Sequence, residues 1–148
     1  MHVLTRLERG AAAAHTTLTL AQAERARSRG RVRLDDGRSA MLHLPRGTLL
    51  RDGDVLGSDD GLRVRVVAAA EAVSTVPAAD AEQLARLAYH LGNRHVPLQI
   101  GAGWLRYAAD DVLDDMVRRL GGDPRREQAP FEPESGPWSA AAGRHEHD

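Results

Sequence analysis

The sequence contains no cysteine and no lysine. The first absence removes disulfides, thiolate metal sites and thiol nucleophiles, leaving imidazole and carboxylate as the strong metal ligands available. The second excludes Schiff-base and lysine-nucleophile chemistry, because every basic side chain other than histidine is an arginine. Aromatic residues make up 3% of the chain, too few for a surface built on base stacking. No apolar run approaches the roughly 18 residues that a membrane-spanning helix needs, and the first ten residues carry Arg6, Glu8 and Arg9 where a secretory signal would be apolar. The expectation is a soluble, cytoplasmic protein with no membrane partner. A formal net charge of -1 argues against a nucleic-acid partner as well. Catalytic patterns are missing too: there is no Gly-x-Ser-x-Gly, no phosphate loop and no His-Glu-x-x-His, so the chain does not read as an enzyme.

What is present is 148 residues with 42% hydrophobic content, enough for one ordinary core or two small ones. Between about Gly30 and Ala70 short alternating segments are punctuated by Asp35-Asp36-Gly37, Asp52-Gly53-Asp54 and Asp59-Asp60-Gly61. Glycine after aspartate supplies the positive φ of tight hairpin turns, so this half reads as an all-β unit. Thr16 to Leu20 favours a strand. Arg25, Arg27, Arg29, Arg31 and Arg33 alternate and, on one strand, would share a face, either as a solvated surface or as a dock for an acidic partner or RNA.

After Pro77 the period changes to that of a helix, with Leu84, Leu87, Ala88 and Leu91 on one side, an Asp80/Gln83 start and Gly92 as the expected left-handed terminator. A strand over Val96–Ile100, a turn at Gly101–Gly103, a returning strand at Trp104–Tyr107 and a second helix from about Asp110 to Leu120 follow. With Val73–Val76 before and Gln128–Phe131 after, the order is β-α-β-β-α-β. The fold class is therefore α+β: an N-terminal all-β domain over 1–71, a ferredoxin-like βαββαβ domain over 72–131, and a flexible histidine-containing tail over 132–148. Asp114 and Asp115, adjacent on the second helix, read as a solvated face.

His95 stands between a helix-ending turn and a strand, where a side chain can project from rigid supports. It reads either as a metal ligand or as a histidine bonded to a loop carbonyl. One imidazole binds Ni(II), Cu(II) or Zn(II) weakly, but a twofold dimer brings a residue on its axis against its own mate. His90 lies outside the i, i+4 spacing of helical zinc sites and reads as a helix-end cap. His145 and His147, in the closing His-Glu-His-Asp, can join a metal or simply be solvated sequence. His2, His15 and His43 show no partner pattern.

The run Tyr-His-Leu-Gly-Asn-Arg-His-Val-Pro-Leu-Gln from Tyr89 to Gln99 resembles the signature of the UreE family of urease accessory proteins. The similarity extends through Leu44–Thr48, Leu50–Leu56, Ala68–Val73 and Leu113–Met116. It implies a β-rich partner- or peptide-binding domain, a ferredoxin-like metal-binding domain, and a homodimer. By the same resemblance the function would be delivery of Ni(II) to the urease apoprotein, with the urease accessory proteins, including the accessory GTPase, as partners. His95 matches the family's interface nickel ligand, with His145 and His147 as further ligands and Zn(II) or Cu(II) as other ions the set suits in vitro. Where some relatives carry histidines after the third strand of the second domain, this chain has Ala108, Ala109, Asp110 and Asp111, and its tail offers only two. The alternative is a docking scaffold of the urease maturation complex whose metal binding is incidental.

Overall fold

The computed structural model describes residues 1–8 and 13–135. They form two compact units, divided between Ala69 and Ala70.

In the first unit six strands make one sheet: β1 (His2–Glu8), β2 (Thr16–Leu20), β3 (Arg29–Arg33), β4 (Ser39–His43), β5 (Val55–Ser58) and β6 (Arg63–Ala68), in the order β2-β6-β5-β1-β4-β3. The two Asp-Asp-Gly turns make the β3–β4 and β5–β6 hairpins, with Gly37 at φ 95° and Gly61 at φ 92°. Leu4, Leu18, Leu42, Leu56 and Val64 pack on one side of the sheet. At one end the two edge strands approach each other: the N–H of Asp35 donates to the Thr17 carbonyl at 2.9 Å, and the Thr17 and Thr19 hydroxyls donate to its carboxylate.

Three local features of this unit are set by contacts distant in the chain. The strand β1 lacks clean alternation, since Val3 and Leu4 are adjacent and its register with β5 shifts between Leu4 and Arg6. Leu50 lies in no strand and is buried in the core. The arginine row is broken, because Arg25 belongs to a short helix α1 (Gln22–Arg25), where it is buried and donates to the Leu20 carbonyl at 2.8 Å. Only Arg29, Arg31 and Arg33 share β3.

The second unit runs β7 (Ala70–Pro77), α2 (Ala81–Gly92), β8 (Gln99–Gly101), β9 (Trp104–Ala108), α3 (Asp111–Arg119) and β10 (Arg125–Pro130). Its four strands lie in the order β10-β7-β9-β8, each antiparallel to its neighbour, which is the ferredoxin-like arrangement. Asp80 caps α2 by accepting the Gln83 N–H at 2.8 Å, while the Gln83 side chain accepts the Ala79 N–H at 2.6 Å. Asp110 caps α3 in the same way, accepting from the N–H of Leu113 at 3.0 Å. Leu87 and Leu91 of α2 and Val117 of α3 meet Val76, Leu105 and Tyr107 of the sheet in one core.

Asp114 is the exception to a solvated α3 face. It is 3% exposed and accepts a 2.7 Å hydrogen bond from the Tyr107 hydroxyl. Arg126 of β10 bridges Asp114 and Asp111 at 3.0 and 2.6 Å, so a buried carboxylate pins the helix to two strands. Burial raises the Asp114 pKa, but the hydrogen bonds led by Tyr107 outweigh it and hold the group below the usual carboxylate range. Burial, reinforced by the Asp114 carboxylate, pushes the Tyr107 phenol well up.

Candidate metal centre

The loop that carries His95 is built entirely by backbone bonds. α2 runs through Gly92, and the N–H groups of Asn93, Arg94 and His95 then donate to the carbonyls of Tyr89, Leu91 and Gly92 at 3.0, 3.1 and 3.0 Å. Gly92 therefore does not take the left-handed conformation that its position suggested. His95 takes it instead, at φ 58°, as the single non-glycine residue with positive φ among the described residues. A β-carbon in that region costs roughly 1 kcal/mol, and the turn retains it with the imidazole exposed. Asn93 and Arg94 hold the turn through their backbone N–H groups.

After His95, Val96 and Pro97 make no ladder bonds, and β8 begins only at Gln99, later than the sequence pattern suggests, because proline has no N–H to pair. The segment following β10 turns toward this loop. Phe131 packs with Val73 and Ala129, the Glu132 N–H donates to the Gln99 side-chain oxygen at 3.0 Å, and the Glu134 N–H donates to the Leu98 carbonyl at 2.8 Å. The C-terminal segment thus departs from a point three residues along the chain from His95. His145 and His147 lie outside the described residues.

Arg94 lines a groove with Val112, Asp115, Met116 and Arg119 of α3. Tyr89, Ile100 and Val112 are exposed large apolar side chains of the same unit. His90 does not cap α2 by a hydrogen bond; its ring meets the Tyr89 ring edge-on at 5.2 Å. Among the described residues no group of three or more imidazoles and carboxylates converges as a metal site. His95 offers one nitrogen donor per chain, so a cation held there needs donors from a second chain or from the C-terminal segment.

Two further histidines are bonded within the first unit. His2 Nδ1 lies 2.5 Å from the Asp60 carboxylate, and His15 Nδ1 accepts the Arg63 N–H at 3.0 Å. Asp60, bonded also by the Ser58 hydroxyl, is lowered to about 2, with that hydroxyl as the largest cause. His43 ends β4 with its side chain exposed. No helix among the described residues is long and apolar enough to cross a membrane.

The buried Asp114 was legible in principle: it precedes Val117 by three positions, which puts it on the apolar side of α3.

Two family models cover the chain: "UreE urease accessory protein, N-terminal domain" matches residues 1–69, and "UreE urease accessory protein, C-terminal domain" matches residues 71–148. The chain is 60% identical over 128 residues to the urease accessory protein UreE of Alkalilimnicola ehrlichii, covering 86% of this chain and 78% of that protein. It is 55% identical over 148 residues to the UreE protein of Pseudomonas putida strain GB-1, covering 98% and 90% respectively. Against the UreE protein of Aliivibrio fischeri strain MJ11 the identity is 52% over 134 residues, covering 90% and 82%.

Proposed function

The chain belongs to the UreE family of urease accessory proteins, and from that premise we propose that it is a cytoplasmic nickel carrier that delivers Ni(II) to the urease apoprotein during active-site assembly. It acts as an accessory protein and not as an enzyme. Nickel is its cargo, held between the His95 imidazoles of two protomers in a homodimer. His145 or His147 completes the coordination until handover to the apoprotein and its accessory proteins, including the accessory GTPase.

The observation that carries this reading is His95 itself. His95 holds a left-handed backbone at the surface, where glycine fits without strain, and backbone strain of this kind clusters at ligand sites. Strain at an exposed, rigidly supported imidazole supports a ligand role over the alternative of a histidine bonded to its own loop. The exposed Tyr89, Ile100 and Val112 offer apolar surface for a second copy, and an isologous interface supplies the second imidazole without a second motif. A site with few protein donors exchanges its ion readily, which suits a carrier. Imidazole nitrogen suits Ni(II), and it suits Zn(II) and Cu(II) in vitro as well.

Isothermal titration of nickel into the wild-type and His95→Ala proteins tests the proposal. The variant should lose the tight binding event; unchanged affinity removes His95 from the site. The second reading, a docking scaffold with incidental metal binding, is favoured by the arginine-bearing strand β3, and undiminished urease activation by the His95→Ala protein would support it.

A further inference from the structure

Residues in register on neighbouring strands project from the same side of a sheet. Val3 of β1 is in register with Met41 of β4, and Met41 with Arg31 of β3. The three therefore form a row across the strands. Arg29 and Arg33, two positions either side of Arg31, face the same way beside His43 and Ser39. On the opposite side Leu4, Ala40 and Leu42 are core. On this side Val3 and Met41 remain 43% and 37% exposed.

The charge of this face is not neutralised locally. Between residues 25 and 47 the chain carries seven arginines and two aspartates, in a protein whose formal net charge is -1. Both aspartates are engaged elsewhere: Asp35 by Thr17 and Thr19, Asp36 by Arg38. The guanidinium groups of Arg29 and Arg31 meet no described carboxylate, and Arg33 reaches the Gly37 carbonyl at 3.2 Å. β3 is also an edge strand of its sheet.

We propose that the outer face of β1, β4 and β3 docks an acidic protein surface, with carboxylates against Arg29, Arg31 and Arg33 and aliphatic contact on Val3 and Met41. The occupant is an acidic patch of the urease apoprotein, so the inference rests on the place of the family in urease maturation and not on nickel. Guanidinium groups pair carboxylates in a fixed fork, and an arginine row around an apolar centre is the composition of a protein interface. RNA would want stacking partners, and neither Val3, Met41 nor any other residue of these three strands is a phenylalanine, tyrosine or tryptophan.

The test is binding of the full chain to nickel-free urease apoprotein by biolayer interferometry, at ~50 and ~300 mM salt. The wild-type affinity should fall with salt, and Arg31→Glu and Arg29→Glu should each weaken it about tenfold. Met41→Ser should weaken it less and leave the salt response intact, while nickel titrations of all three variants match the wild type. Wild-type affinity in both charge variants, no complex with the wild-type chain, or tighter binding of a single-stranded RNA than of the apoprotein overturns the proposal. Failure of the nickel reading would appear separately, as an unchanged titration of His95→Ala.

Discussion

Glu134 donates its backbone N–H to the carbonyl of Leu98 at 2.8 Å. That bond ties the root of the C-terminal segment beside the strand that follows His95. His145 lies eleven residues beyond Glu134, a span of up to ~36 Å when extended, against at most ~11 Å from Leu98 to His95. The length of chain between Glu134 and His145 therefore exceeds the distance that contact with His95 requires.

Deleting residues 143–148 should weaken nickel binding by about tenfold or less, since the tail adds donors to a site that His95 defines. Gln99→Ala, which frees the Glu132 N–H, should weaken it less. Calorimetry of both variants decides the matter, and a gain in affinity on deletion would mean that the tail competes with the site.

His95→Gly should separate stability from binding. Glycine accepts φ 58° without strain, so the variant should be more stable than wild type by up to ~1 kcal/mol while its nickel affinity collapses. His95→Ala keeps the strain and loses the affinity. Paired urea melts and titrations read both effects; a marked loss of stability in His95→Gly would assign the imidazole a structural task.

Asp114→Asn should destabilise the second unit by about 2 kcal/mol at neutral pH, because Tyr107 and Arg126 lose a charged acceptor. The folded-state pKa of Asp114 is depressed, so its contribution is complete above the ordinary aspartate value of about 3.9 and is lost as pH falls through the folded one. Tyr107 acts at the other end. Its raised pKa keeps the phenol neutral in the folded state, and that contribution fades as pH rises above about 10, where the unfolded chain ionises. Denaturation at pH 7, pH 3 and pH 10.5 should show the acid decline shallower in Asp114→Asn than in wild type; parallel curves would remove Asp114 from the pH dependence.

Gly101→Ala should displace the Trp104 ring. A methyl group there would come within 2.1 Å of the indole, over which the Arg106 guanidinium lies 4.5 Å from the ring centroid. A loss of ~1–3 kcal/mol follows if the ring cannot move aside. Tryptophan fluorescence should shift toward that of an exposed indole, and an unchanged emission spectrum would show that the strand adjusts instead.

The second unit was largely readable from residues because its devices are local. Asp80 with Gln83 and Asp110 with Leu113 mark helix starts, and the apolar positions of both helices repeat at helical spacing. The Asp-Gly turns of the first unit were readable for the same reason. What escaped depends on distant partners. β1 lacks alternation, and its place is set by β4 and β5; Arg25 ends the arginine row because α1 turns it toward the Leu20 carbonyl. At the candidate site the sequence pattern points to Gly92 as the left-handed residue, but Gly92 is still helical. A turn of three further backbone bonds moves the left-handed residue to His95, a residue type enriched there with asparagine and aspartate but found there far less often than glycine.

Native mass spectrometry of the nickel-loaded protein tests the paired-imidazole site most directly. Wild-type protein should appear as a dimer carrying one nickel ion at near-stoichiometric loading, and His95→Ala as a dimer with that ion gone. One tightly held ion on each isolated chain, or a dimer of His95→Ala that still retains a single ion, would contradict a site made by two copies of His95.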